Sequence, residues 1–401
     1  MIELKKIAEN HLIELCRKIT DRSVGSAGNI KATSYFYDTV QSFGWNTQKI
    51  EMPAVDWHDG GATVCSLDTS FEAFVSPYSP GCSVEAQLVC ISTIEKLREQ
   101  NLNGKIVLLH GDIAKEQLMP KNFVFYNPKE HQEIISLLES KNVKAVVSAT
   151  GRNAALAGGV YPFPLIEDGD FDIPSVYMTE DEGEKLLLHE GKPVKIVSNS
   201  KRIPGKCYNI IATKGKNQTK KIVITAHIDA KKGSPGAIDN ATGVIVLLLL
   251  AQELKNYNGN NQIELVPLNG EDYYAVPGQM DYIRMNQDKF DNIILNINID
   301  GAGYKEGKSA FSLFDLPENL KVKVSGILND CQRIVEGEQW PQGDHSIFVQ
   351  NNCPAIAVTS KWFLDNIDTQ TITHTPKDNP DIVDCSNLVD ITETIVKIIS
   401  C

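Results

Sequence analysis

The sequence lacks a long apolar run, and this absence limits where the chain can function. Its longest run, residues 244–251, falls well short of the roughly 18 residues that cross a bilayer. The N-terminal stretch carries Glu3 and Glu9 where an export signal needs an apolar core, so it fits an amphipathic helix better. We therefore expect a cytoplasmic protein with no membrane partner.

Basic residues are also in the minority. The 39 Lys and Arg residues against 51 Asp and Glu residues give a net charge of -12 at pH 7. A protein that binds nucleic acid needs a basic face to neutralise phosphates, so we expect no nucleic-acid partner.

Cysteine pairs of the Cys-x-x-Cys type are absent as well. The nine cysteines are an odd number and are scattered, which disfavours a disulfide framework or a thiolate zinc site. Cys65, Cys82 and Cys90 are close enough in sequence for one bridge if the chain were exported. The expected cytoplasmic location favours free thiols instead.

The length of 401 residues predicts about two domains. Residues 1–54 read as two helices, 4–19 and 30–43, followed by a strand at 45–52. Residues 55–204 are rich in Pro and Gly between short elements. There we predict strands at 87–91, 105–109, 145–149 and 175–178, and helices at 94–100, 132–141 and 180–188. We interpret this segment as a smaller α/β domain inserted into a discontinuous domain of residues 1–54 and 205–401.

From residue 205 onward, apolar strands alternate with helices. The predicted strands are 208–213, 222–226, 263–268, 293–299 and 355–359, and the predicted helices are 241–257, 278–286, 316–331 and 386–399. Strands that are apolar throughout are covered on both faces. The pattern therefore predicts an α/β fold with a mixed, largely parallel sheet sandwiched by helices.

Acidic residues and histidines follow four of these strands, at the positions where each strand ends. They are His227, Asp229 and Asp239 after strand 222–226, Asp272 after 263–268, Asp300 after 293–299, and His374 in the long loop after 355–359. Ligands of open α/β sheets bind outside the carboxyl ends of the strands. Carboxylates gathered at one edge repel each other, so the pattern implies a compensating cation.

Mixed imidazole and carboxylate ligands without thiols suit zinc, and cobalt or manganese is tolerated. Five side chains can serve two ions if one carboxylate bridges them. These candidate ligands are His227, Asp239, Asp272, Asp300 and His374. Taken singly, some have structural alternatives: His227 as a buried histidine, Asp239 as a helix N-cap and Asp300 as a turn residue.

The motifs also resemble a known family. In chain order they are HIDA (227–230), GAIDNATG (236–243), NGED (269–272), NID-G (298–301), GDHSIF (343–348), NNCPAIAV (351–358) and HTPKD (374–378). This series resembles metallopeptidase family twenty-eight, the co-catalytic zinc exopeptidases that include aminopeptidase-Y-like enzymes. Residues 55–204 resemble the protease-associated domain that many members carry as an insertion.

The resemblance implies a role for each candidate ligand. Asp239 would bridge two zinc ions, with His227 and Asp300 completing one site and Asp272 and His374 completing the other. We therefore expect two zinc ions per chain, with cobalt or manganese as substitutes.

The resemblance also implies two catalytic carboxylates. Glu271 would be the general base that takes a proton from the attacking water. Asp229 would accept the other N–H of His227 and fix its tautomer. In this family the peptide bond after the bridging aspartate, here Asp239-Asn240, is often cis.

Two positions depart from the family pattern. Glu271-Asp272 stands where most members have Glu-Glu, which shortens the ligand arm by one methylene. Thr373 precedes the last histidine where many members have a tyrosine that stabilises the oxyanion. Another donor, or the metal ions themselves, must then carry that charge.

The expected substrate is a peptide with a free N-terminus, because the acids that hold the metals also attract its ammonium group. A carboxypeptidase would hold its substrate's carboxylate with arginines. Only Arg284 and Arg333 follow the inserted segment, and neither lies beside a motif. The sequence therefore predicts a metallo-aminopeptidase. Alternatives are a carboxypeptidase, a zinc enzyme of the glutaminyl cyclase type with one ion, and an inactive binding protein of the same fold.

Overall fold

The computed structural model describes residues 2–401, which divide into two compact units. One unit comprises the segment ending at Ala54 together with Lys206–Cys401, and the other is Val55–Gly205. Helices α1 to α12 are Ile2–Ile13, Ala27–Ser42, Ile94–Glu99, Lys129–Ser140, Ala154–Ala157, Glu180–Leu187, Thr242–Glu253, Pro277–Asn286, Glu318–Asn329, His345–Val349, Lys361–Asn366 and Cys385–Ile399. Strands β1 to β16 are Asn46–His58, Ala62–Ser66, Thr69–Phe71, Phe74–Val75, Cys82–Ile91, Ile106–Leu109, Ala145–Thr150, Ser175–Thr179, Pro193–Ser198, Lys201–Lys214, Lys221–His227, Gln262–Leu268, Ile293–Ile299, Ser309–Phe314, Ile334–Glu336 and Ala355–Ser360.

An eight-stranded sheet organises the first unit, in the order β1-β10-β12-β11-β13-β16-β14-β15. Its four central strands, β12, β11, β13 and β16, are parallel, whereas β10 and β14 pair antiparallel with their neighbours β12 and β16. The register aligns His227 with Leu268 at the ends of β11 and β12. The carboxyl ends of the parallel strands therefore lie at one edge of the sheet.

Helix α7 forms the centre of the core on one face of this sheet. Every residue from Thr242 to Ala251 is buried, and seven successive side chains from Val244 to Leu250 are apolar. A helix that is apolar all round must be covered on all sides. Strands β11 and β12 cover one side, and α1, α2 and α12 cover the other. Each fully buried leucine contributes about 1.5–3 kcal/mol to stability.

The opposite face of the sheet carries buried polar side chains. Along β13, Ile297 and Ile299 belong to the α7 core, whereas Asn296 and Asn298 point to the other face because side chains alternate along a strand. Asn298 accepts a hydrogen bond from the hydroxyl of Thr225 on β11, at 2.7 Å. The alternation continues past both strands, so it directs the side chains that follow them to this same polar face.

The second unit is also built on an eight-stranded mixed sheet, in the order β3-β2-β9-β5-β6-β7-β8-β4. Strands β5 to β8 are parallel, and the outer pairs are antiparallel. Its core consists of two apolar clusters, one including Leu97, Ile134 and Phe163 and the other including Leu108 and Val147.

The structure confirms the predicted mixed α/β fold and differs from the sequence in its shorter elements. Strands β1 and β10 extend well beyond the predicted 45–52 and 208–213. The sequence analysis did not predict nine elements, namely strands β2, β3, β4, β9, β14 and β15 and helices α5, α10 and α11. All of these elements are six residues or shorter, which leaves too few positions for a period to appear.

No helix within residues 2–401 is both long enough and apolar enough to cross a membrane. All nine cysteines are free thiols.

Candidate metal centre

Five side chains from five segments converge at the carboxyl edge of the first sheet. His227 is the last residue of β11, and Asp300 directly follows β13, where its N–H is bonded to the carbonyl of Val358 on β16. Asp239 lies in the helical turn Ala237–Ala241 that leads into α7. The remaining two, Asp272 and His374, lie in the loops after β12 and α11.

Asp239 is at the centre of this cluster. Its Oδ1 lies 3.1 Å from Nε2 of His227, and its Oδ2 lies 3.2 Å from Nε2 of His374. Each imidazole nitrogen has a second carboxylate partner. Oδ1 of Asp300 is 3.5 Å from the His227 nitrogen, and Oδ1 of Asp272 is 3.0 Å from the His374 nitrogen. The five side chains thus form two ligand sets that share one carboxylate.

The donor atoms of this cluster suit a metal ion. In each ligand set the atoms lie within 4.8 Å of one another. Both ring nitrogens of His227 and Oδ2 of Asp272 are buried and make no hydrogen bond, although carboxylate oxygens lie close to the Nε2 of His227. Buried polar atoms that make no hydrogen bond are costly. Divalent ions bound by nitrogen and carboxylate oxygen would satisfy them, so the residues present fit zinc.

The electrostatics of the cluster favour a cation in the same place. Burial opposes charge on the His227 imidazole, yet Asp300, Asp229 and Asp239 raise its pKa well above the usual value. Burial likewise opposes charge on His374, but Asp272 and Asp239 raise its pKa well above the usual value. The pKa of Asp239 is lowered despite burial, because both imidazoles stabilise its charged form. The carboxylates therefore create a negative field at the two imidazole nitrogens.

His374 reaches this position through an uncommon backbone conformation. Its φ is +63°, in the left-handed region that residues other than glycine seldom adopt. The loop around it is fixed by its own bonds: the N–H groups of Thr375 and Asp378 donate to the carbonyls of Ile372 and Thr375.

Glu271 lies beside both ligand sets. Its carboxylate forms a further group of potential ligands with His227 and Asp272, and the residue is partly exposed. Burial of its carboxyl raises the pKa of Glu271 well above the usual value, and the charges of Asp272 and Asp300 raise it further. A carboxyl group with a raised pKa is suited to exchange protons near neutral pH.

Asp229 bonds to main-chain N–H groups, whereas the resemblance implied the imidazole of His227 as its partner. Its Oδ1 lies 3.7 Å from Nδ1 of His227, which is longer than a hydrogen bond. The carboxylate instead accepts the main-chain N–H groups of Gly270 at 2.7 Å and Asp272 at 3.0 Å. Asp229 therefore fixes the loop that carries Glu271 and Asp272.

The turn around Asp239 is fixed by neighbours of the motif. The peptide bond Asp239-Asn240 is cis, as the resemblance implied. The Asn240 side chain, rather than Asp239, accepts the N–H of Gly243 at the start of α7, and it donates to the carbonyl of Ile299 at 2.8 Å. Asp239 is thereby free of a capping role and points its carboxylate at the imidazoles.

Several buried polar residues near the site were not identified from the sequence. Asp344 of GDHSIF is buried, accepts a hydrogen bond from Gln279 at 2.9 Å and has its second oxygen unpaired. Arg22 and Asp378 are also buried and bond to the loop before Asp239. A charged residue next to apolar helices or strands can indicate a buried functional group. By itself, however, it does not indicate which loop the residue contacts.

The mixed α/β fold therefore carries a cluster of potential metal ligands at the carboxyl edge of its first sheet. Residues 209–399 match the sequence profile of peptidase family M28. The resemblance found in the motifs is thus confirmed.

The chain is also similar in sequence to curated proteins and in fold to solved structures. A probable leucine aminopeptidase 2 from Trichophyton verrucosum is 24% identical over 391 residues, covering 88% of this chain and 72% of the relative. An aminopeptidase from Aneurinibacillus sp. strain AM-1 has a similar structure, with a TM-score of 0.75 and 20% identity over 98% of this chain and 93% of the other. A zinc aminopeptidase from Bacillus subtilis also gives a TM-score of 0.75, with 17% identity over 98% and 94% of the two chains. Both structures share the fold of this chain.

Proposed function

We propose that this protein is a zinc-dependent aminopeptidase that hydrolyses the N-terminal residue from peptides. The observation that supports this most strongly is the position of Asp239, whose two oxygens face two imidazoles that each have a second carboxylate partner. The names of its relatives agree, since they are aminopeptidases.

Two zinc ions per chain are part of this proposal. His227, Asp239 and Asp300 would hold one ion, and Asp239, Asp272 and His374 the other. Cobalt or manganese would substitute, because the donor set contains no thiolate. When bound, such a pair of ions polarises a carbonyl group and acidifies a water molecule.

The side chains around the ions would then move protons. Glu271 would accept a proton from the attacking water and pass it to the leaving amine, a role that requires a carboxylate outside the ligand sets. Its raised pKa supports this role, because it favours retention of the accepted proton until the carboxyl donates it to the amine. Asp229 would keep Glu271 and Asp272 in place through its bonds to the main chain.

The charges near the site favour a free amine over a free carboxylate. The carboxylates attract an ammonium group, whereas a carboxypeptidase needs an available arginine. Arg284 bonds to Asp281, and Arg333 forms an ion pair with Asp390 at 2.7 Å. Since both arginines are committed to other acids, aminopeptidase activity is the better supported reading.

Two further proposals concern the inserted segment and the location of the protein. We propose that Val55–Gly205 is a protease-associated-like inserted domain, supported by its own mixed sheet and core. We also propose a cytoplasmic location, which the free thiols support.

The test combines metal content with hydrolysis of a panel of aminoacyl-p-nitroanilides. We expect about two zinc ions per chain, activity that a chelator abolishes and zinc restores, and no cleavage of the same substrates after N-acetylation. One ion with cyclisation of an N-terminal glutamine would instead indicate a glutaminyl cyclase. A protein that binds no metal and cleaves nothing would be an inactive binding protein.

A further inference from the structure

A buried arginine bonds to the loop that carries Asp239. Arg22, only 2% exposed, precedes α2 and donates to main-chain carbonyls of this loop. Its Nε bonds to Ile228 at 3.1 Å, its Nη1 to Pro235 at 2.8 Å and its Nη2 to Gly236 at 2.7 Å. The guanidinium group thus joins the beginning and the end of the loop between His227 and Asp239.

A buried aspartate bonds to the same loop through its amides. Asp378 is fully buried, and its Oδ1 and Oδ2 accept the N–H groups of Ile238 at 2.7 Å and Asp239 at 3.0 Å. Its main-chain carbonyl accepts the N–H of Ala237 at 3.2 Å. Asp378 lies four residues after His374, so the loop of one ligand is bonded directly to the loop of another.

The two charges occupy complementary positions on the loop. The guanidinium of Arg22 donates to carbonyl oxygens, and the carboxyl of Asp378 accepts N–H groups. Burial raises the pKa of Asp378 to about 7, and the charge of Arg22 opposes this shift. Burying one ionised group without compensation costs several kcal/mol. The burial of Arg22 and Asp378 therefore depends on the hydrogen bonds that they make. Hydrogen bonds from a charged group are about twice as strong as neutral ones, which makes them suitable for fixing a loop.

The loop has little room to adjust between these contacts. Gly236 has φ +58°, and a Cβ atom there would lie 2.8 Å from Nη2 of Arg22 and 2.6 Å from the carbonyl oxygen of Asp239. The main chain of Gly236 therefore lies close to both Arg22 and the carbonyl of Asp239, and the N–H of Asp239 is bonded to Asp378.

We propose that Arg22 and Asp378 are positioning residues that orient the Asp239 carboxylate and thereby set the affinity for both metal ions. This inference rests on the proposed two-ion function. Asp239 belongs to both ligand sets, so a displaced Asp239 weakens both ions together. Substitutions of residues that support metal ligands cost typically about 10-fold to 100-fold in metal affinity.

The chain provides a matched control for this pair. Arg17 and Asp381 connect the same two segments by an ion pair of 2.9 Å, but their side chains are 60% and 78% exposed. The experiment compares Arg22→Met, Arg22→Lys and Asp378→Asn with the controls Arg17→Met and Asp381→Asn. Zinc affinity is measured for each ion by titrating the metal-free protein against a chelating indicator. Circular dichroism and the melting temperature of the metal-free protein report on folding.

We expect Arg22→Met and Asp378→Asn to weaken both ions by about 10-fold or more, and Arg22→Lys to have a smaller effect because it keeps the charge with fewer donors. The two controls keep the wild-type affinities. Folded variants that bind both ions as tightly as wild type, or that weaken only one, would overturn the inference. If Arg22→Met does not fold, the zinc affinities of Asp378→Asn and Arg22→Lys test the inference instead. Wild-type protein that binds fewer than two ions contradicts the proposed two-ion site itself, whatever the variants do.

Discussion

Oδ2 of Asp239 lies 3.2 Å from Nε2 of His374, while the other oxygen of the same carboxylate faces the imidazole of His227 at 3.1 Å. One side chain thus belongs to two ligand sets. Of these two ligand sets, the other four ligands each belong to only one, although His227 and Asp272 also form a third group of potential ligands with Glu271. Substitutions at shared and unshared ligands should therefore differ in the number of ions that they remove.

Asp239→Asn is expected to abolish binding of both ions, because a neutral amide is a weak ligand and no other residue bridges the two sets. Asp300→Asn is expected to weaken only the ion that it shares with His227. Metal content of the purified, dialysed proteins, measured by inductively coupled plasma mass spectrometry, distinguishes the two results. Asp330→Asn, at an exposed position, serves as the control. Two retained ions in Asp239→Asn would rule out a bridging role.

Glu271→Gln tests the general base separately from metal binding. The substitution keeps the shape of the side chain and removes its proton-accepting group, so we expect both ions to remain. The kcat should fall about 100-fold to 10,000-fold, with little change in KM. Steady-state kinetics on an aminoacyl-p-nitroanilide provides the measurement, with the exposed Glu318→Gln as control. Wild-type kcat in Glu271→Gln would remove this residue from the reaction.

Asp229→Asn distinguishes two roles for this carboxylate. If Asp229 mainly holds the main chain at Gly270 and Asp272, as its bonds of 2.7 and 3.0 Å indicate, the substitution weakens the ion bound by Asp272 and His374. If it mainly fixes the tautomer of His227, the ion on the His227 side weakens instead. Zinc titration of the metal-free variant separates these results, since the two ions are counted independently. We expect the ion bound by Asp272 and His374 to weaken, because Asp229 lies 3.7 Å from the imidazole of His227, too far for a hydrogen bond.

The edge of the sheet where the candidate ligands meet could be predicted from the sequence, because parallel strands end together. Apolar runs before His227 and Asp300 indicated two such strands, and the register of β11 with β13 brings these ends side by side. The position of His374 did not follow from periodicity, since it lies in a long loop. Only the resemblance of the HTPKD motif connected it with the site.

The residues that fix the loops were beyond the reach of local patterns. Arg22 lies between two helices, and nothing near it in sequence indicates that its donors reach carbonyls more than 200 positions later. Asp378 could equally have been a turn residue after Pro376. Their roles depend on tertiary contacts, as does the antiparallel pairing of the short strand β14 with β16.

The last prediction concerns a pH dependence away from the metal centre. Burial lowers the pKa of His11 from 6.5 to about 4, although the nearby Glu14 opposes this effect. The unfolded chain therefore binds this proton below about pH 6.5, and the folded chain only below about pH 4. Between these values the unfolded state binds more protons, so stability falls as the pH falls from 6.5 to 4. The total loss from this residue is about 3 kcal/mol.

His11→Gln should reduce this loss, because glutamine does not titrate but can still form a hydrogen bond with the hydroxyl of Tyr35, which lies 2.5 Å from Nδ1 of His11. The free energy of unfolding in urea is measured for the metal-free protein between pH 4.5 and 7, which removes the contribution of metal binding. Its slope with pH should be shallower in His11→Gln than in wild type. His58→Gln, at an exposed histidine, should keep the wild-type slope. Equal slopes in His11→Gln and wild type would mean that the buried imidazole does not control acid stability.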